Sequence, residues 1–75
     1  MDSMKIILRE EFIKLGQALK AAGLVETGAE AKAVILDGEV QVNGEICLQR
    51  GKKLYDGDEV TFDHTVVHIL DGSLK

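Results

Sequence analysis

The stretch from Gly23 to Gly44, GLVETGAEAKAVILDGEVQVNG, decides the fold. Thr27 followed three residues later by Glu30 is the pattern of a capping box, in which a hydroxyl and a carboxylate satisfy backbone N–H groups that a helix start leaves unpaired. The helix they open is expected to begin at about Gly28 and to stop at Asp37. Gly38 can take the left-handed conformation that closes a helix without a Cβ penalty. Val40 and Val42 then alternate with Glu39 and Gln41 at the two-residue period of a half-buried strand. Asn43-Gly44 is the strongest short-range signal for a tight hairpin turn.

Working outward, Phe12, Leu15, Leu19 and Ala22 recur at helical spacing and predict a first helix from Glu10 to Ala22, stopped by Gly23. Lys14, Gln17 and Lys20 fall on its opposite arc. The second helix offers Ala31, Val34 and Ile35 to the same core. Lys32 flanks that apolar side and must reach a surface, because burying its charge is costly. Downstream, Leu54 begins a short strand, Asp56-Gly57-Asp58 turns, and Val60 and Phe62 alternate around Thr61. Asp63-His64 turns again, and Thr65 to Leu70 reads as a final strand that an initial strand, Lys5 to Leu8, can pair with. The expected architecture is α+β: a helix pair packed on a small antiparallel sheet.

Seventy-five residues are expected to form one domain over 1–75, with a compact core and modest stability. Apolar residues make up 45% of the chain but only Phe12, Tyr55 and Phe62 are aromatic, so the core should be aliphatic and an enclosed active site has no room. A single cysteine, Cys47, excludes an intramolecular disulfide and suits a reducing compartment; within Glu45 to Leu48 it reads as a small buried hydrophobe. No apolar run approaches the roughly 18 residues of a membrane span and no signal peptide is visible, so a cytoplasmic protein without a membrane partner is expected. Asp56-Gly57-Asp58-Glu59 lacks the remaining ligands of a calcium loop. His64 and His68, read on one strand face, would stand about 13 Å apart, too far to share a metal ion. No nucleophile, base and orienting group occur together and no phosphate loop is present. Neither catalysis, a metal nor a cofactor is therefore expected.

The net charge of −4 has the wrong sign for binding nucleic acid through an overall field. Its distribution is more informative. Acids gather at Asp2, Glu10 and Glu11 and at Asp56, Asp58, Glu59 and Asp63, whereas Ile46 to Tyr55 holds Arg50, Lys52 and Lys53 with one acid-free background. A helix edge bearing Lys14, Lys20 and Lys32 beside a loop bearing Arg50, Lys52 and Lys53 can neutralise several phosphates of a folded RNA. Arg50 supplies a bidentate fork and the lysines point charges. Gln17, Gln41 and Asn43 can add hydrogen bonds to sugar or base edges, and Gly28 lets a phosphate approach the N–H groups of a helix start. Few aromatic residues argue against readout by base stacking and for recognition of RNA shape and backbone.

Leu15, Leu19, Gly23-Leu24, Thr27, Ala31, Gly38, Val40, Val42-Asn43-Gly44 and Gly57-Asp58 resemble the pattern of the S-four RNA-binding domain, named after the fourth small-subunit ribosomal protein. The resemblance covers residues 12–62. Lys32, just after Thr27-Gly28-Ala29-Glu30, and RGKKLYDGDEV at 50–60 make the chain most similar to the small stand-alone members of YaaA and YbcJ type. It implies an αα-hairpin and β-loop that bind structured RNA, ribosomal RNA above all, in ribosome assembly or translation, with ribosomal or ribosome-assembly proteins as further partners. The chain departs from the wider family at Thr27-Gly28, where many members carry Ser-Arg. One cation is missing there, and Lys32 stands one turn further on. The alternative is a protein-interaction adaptor that keeps the fold without RNA affinity. If Lys32 and the Arg50 to Lys53 group share one face free of carboxylates, RNA is favoured; if each is paired with Glu26, Glu30 or Asp58, the adaptor is.

Overall fold

In the computed structural model, which describes residues 2–72, the chain runs β1 (Asp2–Leu8), β2 (Ile13–Lys14), α1 (Leu15–Ala21), α2 (Gly28–Leu36), β3 (Gln41–Val42), β4 (Glu45–Ile46), β5 (Lys53–Leu54), β6 (Glu59–Phe62) and β7 (Thr65–Asp71). The local chemistry around α2 works as its sequence predicts. Thr27 Oγ1 accepts the Glu30 N–H at 3.0 Å, and Glu30 reaches back to accept the Glu26 N–H at 2.9 Å, one residue outside the cap. Gly38 closes the helix at φ +80°, and Asn43 (φ 53°) and Gly44 (φ +86°) give the two positive φ values that a tight hairpin turn needs.

Five strands form one sheet in the order β1-β7-β6-β3-β4, and β2 and β5 form a separate two-stranded ribbon. The sheet is mixed, which corrects the antiparallel expectation. β3–β4, β3–β6 and β6–β7 are antiparallel, but β1 and β7 run parallel with Lys5 opposite His68. Tight turns force β3–β4 and β6–β7 to be antiparallel. β1 and β7 lie at opposite ends of the chain, and the long crossover between them permits the parallel pairing.

The first helix is shorter than its periodicity suggests. Ile13 and Lys14 pair with Leu54 and Lys53, so α1 starts only at Leu15 and Lys14 precedes it. Leu15, Leu19 and Ala22 still enter the core, but Phe12 does not. His64 adopts φ 63° in the turn before β7 and does not share a strand face with His68, which instead approaches Glu59 at 3.7 Å.

The core is aliphatic. Leu15, Leu19, Ile35, Val40, Leu54, Val60, Val67 and Ile69 are essentially inaccessible, each contributing about 1.5–3 kcal/mol of burial. Both helices feed this cluster, α1 through Leu15, Ala18 and Leu19 and α2 through Ala31 and Ile35. Cys47 is half-buried against it, not enclosed, because it follows the edge strand β4 and its neighbours Ile46 and Leu48 are exposed. Among the described residues, no helix is long and apolar enough to cross a membrane.

Candidate nucleic-acid interface

The start of a helix leaves backbone N–H groups without intrahelical acceptors. At α1 those donors are met by a loop distant in sequence: Leu15 N–H donates to the Lys52 carbonyl (2.8 Å) and Gly16 N–H to the Arg50 carbonyl (3.1 Å). Gln17 Oε1 accepts the Lys14 N–H at 3.3 Å; an ammonium has no lone pair to return the bond, so this is half of a capping box. The loop carrying Arg50 is thereby fastened across the first turn of α1.

Gly16 makes the close approach possible. A Cβ at this position would lie 2.9 Å from Arg50 Cγ, well inside van der Waals contact. Sequence reading missed this residue, since an ordinary helical glycine carries no signal of what crosses it.

The result is a shallow groove of about 320 Å³ lined by Lys14, Gly16, Gln17, Lys20, Gly28, Ala31, Arg50 and Gly51. Five of the sequence-predicted residues meet here: Lys14, Gln17, Lys20, Gly28 and Arg50. The lining is small along its floor and cationic at Lys14, Lys20 and Arg50, a shape that admits a phosphodiester backbone. Nothing lies within 4 Å of a Cβ built on Gly28, so the approach there is open. The Gly28 and Ala29 N–H groups have no protein acceptor among the described residues. Glu26 and Glu30 occupy the same helix start, so the attraction for an anion comes from the three cations and Gly28 contributes space.

The other predicted residues are placed elsewhere. Lys32 is exposed one turn beyond Gly28 on α2 and does not line the groove. Lys52 lines a separate surface groove with Val42, Asn43, Glu45 and Ile46. Lys53 turns to the outer face of the ribbon, where its Nζ sits 4.8 Å from the Phe12 ring centroid. Gln41 is exposed on β3, opposite Ile46 and Thr61.

Asn43 is engaged within the fold. Its side-chain amide donates to Asp58 Oδ1 at 3.0 Å and accepts the Glu59 N–H at 2.9 Å. Among the described residues, His68 and Glu59 at 3.7 Å are the only basic and acidic side chains within ion-pair distance, and none of Lys14, Lys20, Lys32, Arg50, Lys52 or Lys53 is paired with a carboxylate. No group of three His, Cys, Asp or Glu among the described residues is placed to hold a metal ion.

Two helices and a mixed five-stranded sheet, with a groove carrying Lys14, Lys20 and Arg50, make a small α+β domain consistent with the kind the sequence resembles. The S4 domain family pattern matches residues 6–70, and the chain belongs to that family. Among its relatives is a Bacillus subtilis (strain 168) protein named "Probable ribosome maturation protein RlbA", 43% identical over 58 residues that cover 77% of this chain and 82% of the relative. A second, from Escherichia coli (strain K12), is named "Putative RNA-binding protein YbcJ" and is 33% identical over 58 residues, 77% of this chain and 83% of the relative.

Proposed function

We propose that this protein is a non-catalytic RNA-binding module that holds the phosphate backbone of structured RNA in the Lys14–Lys20–Arg50 groove, and that its RNA is ribosomal, bound during ribosome maturation. The observation that carries the reading is the convergence on one groove of Lys14 and Lys20, from the two ends of α1, with Arg50 from a loop distant in sequence, none of them in a salt bridge with a carboxylate among the described residues. An acidic protein that keeps such a site uncompensated attracts anions at one place and repels them elsewhere. This favours a defined phosphate geometry over indiscriminate binding. The names of the relatives, one a ribosome maturation protein and one an RNA-binding protein, support the choice of RNA. Lys32 and the Arg50 to Lys53 group do not share one face, so that sign of RNA binding is not met, but among the described residues none of these cations is paired with a carboxylate, the feature that would have favoured a protein-interaction adaptor.

The test is electrostatic. With three groove cations and one or two of Lys32 and Lys52 on phosphates, log K should fall against log salt with a slope of about −3 to −4.5, at roughly 0.7–0.9 per phosphate. The double variant Lys14→Ala with Arg50→Ala should reduce that slope by about 1.5 and weaken different structured RNAs by similar factors, since phosphate contacts position without reading sequence. Failure to bind ribosomal RNA fragments at low salt, or a slope that the two substitutions leave alone, refutes the reading.

A further inference from the structure

The chain has three aromatic side chains, and only Phe62 packs against the core cluster. Phe12 and Tyr55 lie together outside it, their ring centroids 6.0 Å apart and their planes tilted by 48°. Leu54 of the ribbon is buried, so its neighbours Lys53 and Tyr55 face outward, and Lys14 stands directly opposite Lys53 in the β2–β5 register. The outer face of this two-stranded ribbon therefore carries two rings and two lysines.

Two features of that face point to a ligand. Like charges directly opposite each other on paired strands destabilise the pair, and an anion between Lys14 and Lys53 would relieve it. Lys53 already covers the Phe12 ring as a cation–π partner, whereas Tyr55, 43% exposed, keeps open ring surface. The Tyr55 backbone is fixed by Asp58: its N–H donates to Asp58 Oδ2 at 2.7 Å and its carbonyl accepts the Asp58 N–H at 3.0 Å, so the point from which the ring projects is set before binding.

Lys14 belongs both to this face and to the phosphate groove. A backbone lying in the groove is thus led onto the ribbon. We propose that the ribbon's outer face is a second subsite that takes one unpaired nucleotide, its base stacked on Tyr55 and its flanking phosphates on Lys14 and Lys53. The inference rests on the RNA-binding reading and adds to it a preference for a duplex end, bulge or overhang. Bases inside a duplex are stacked on one another and offer no free face; an unpaired base does. The scarcity of aromatic residues in the sequence argued against stacking, but the aliphatic core leaves two of the three free for the surface.

Tyr55 is the only tyrosine and the chain has no tryptophan, so intrinsic fluorescence reports this ring alone. The experiment titrates the protein with a blunt RNA duplex and with the same duplex carrying a single-stranded overhang, following both labelled-RNA anisotropy and tyrosine emission. Stacking predicts that the overhang tightens binding and quenches the emission. Tyr55→Leu, which keeps apolar cover on the ribbon, should weaken the overhang duplex on the order of ten-fold, while Tyr55→Phe retains its affinity and the blunt duplex changes little. Binding of both duplexes with equal affinity and no quenching overturns the stacking subsite and leaves the groove standing. Binding of neither at low salt overturns both.

Discussion

Asp58 ties the turn between β3 and β4 to the turn that follows β5, and its removal is a quantitative test of that role. One carboxylate oxygen accepts the Asn43 side-chain amide at 3.0 Å and the other accepts the Tyr55 N–H at 2.7 Å. Asp58→Ala deletes both bonds. Hydrogen bonds to a charged acceptor are worth about 1.5–3 kcal/mol when shielded, but both of these are solvent-exposed, so about 1 kcal/mol each is appropriate and the expected loss is roughly 2 kcal/mol. For a domain of this size each kcal/mol moves Tm by about 4–8 °C, so the variant should melt about 8–16 °C below the wild type.

Urea and thermal unfolding of the wild type, Asp58→Ala, Asn43→Ala and the double variant would measure the loss and apportion it. Because Asn43 and Asp58 share a bond, their effects should couple by more than about 0.5 kcal/mol. Asp58→Asn, which keeps an acceptor, should recover part of the loss. A loss below about 0.5 kcal/mol for Asp58→Ala, or strict additivity in the cycle, would refute the argument that this side chain braces the turn at 43–44 against the turn at 55–58.

Gly16→Ala should place a methyl group against the Arg50 stem while improving helix propensity by up to about 1 kcal/mol, so stability stays within about 1 kcal/mol of wild type and the salt slope for RNA falls toward that of Arg50→Ala. An unchanged slope in a salt titration would show that Arg50 reaches the groove without the glycine. The Glu39 carboxyl is held above its ordinary range, first by a side-chain hydrogen bond with Asp37, then by desolvation and the like charges of Asp37 and Asp63. A raised folded-state value means that its stabilising contribution is present at acid pH and is lost as pH rises through that value. Glu39→Gln should accordingly raise Tm at neutral pH, with the gain shrinking on acidification. A gain independent of pH in a series of thermal melts would contradict the assignment.

What the sequence by itself determined is the chemistry that closes within a few residues. The Thr27–Glu30 cap, the stop at Gly38 and the turn at Asn43-Gly44 each satisfy their donors or their positive φ locally, so their residue types are sufficient to read them. The family resemblance includes Thr27, Gly38 and Asn43-Gly44 among its positions. Tertiary structure alone decided which way β1 runs beside β7, because a long connection imposes no direction on its ends. It also decided where the cations go. Arg50, Lys52 and Lys53 are neighbours in the chain, yet one enters the groove, one lines another surface and one covers Phe12. The Lys53–Leu54 pairing with β2 and the bonds from Leu15 and Gly16 to the loop fix that separation. Those bonds join residues far apart in sequence, and an α1 shortened to begin at Leu15 is the counterpart of the same contacts: the backbone groups that would have extended the helix are engaged by the ribbon and the loop instead.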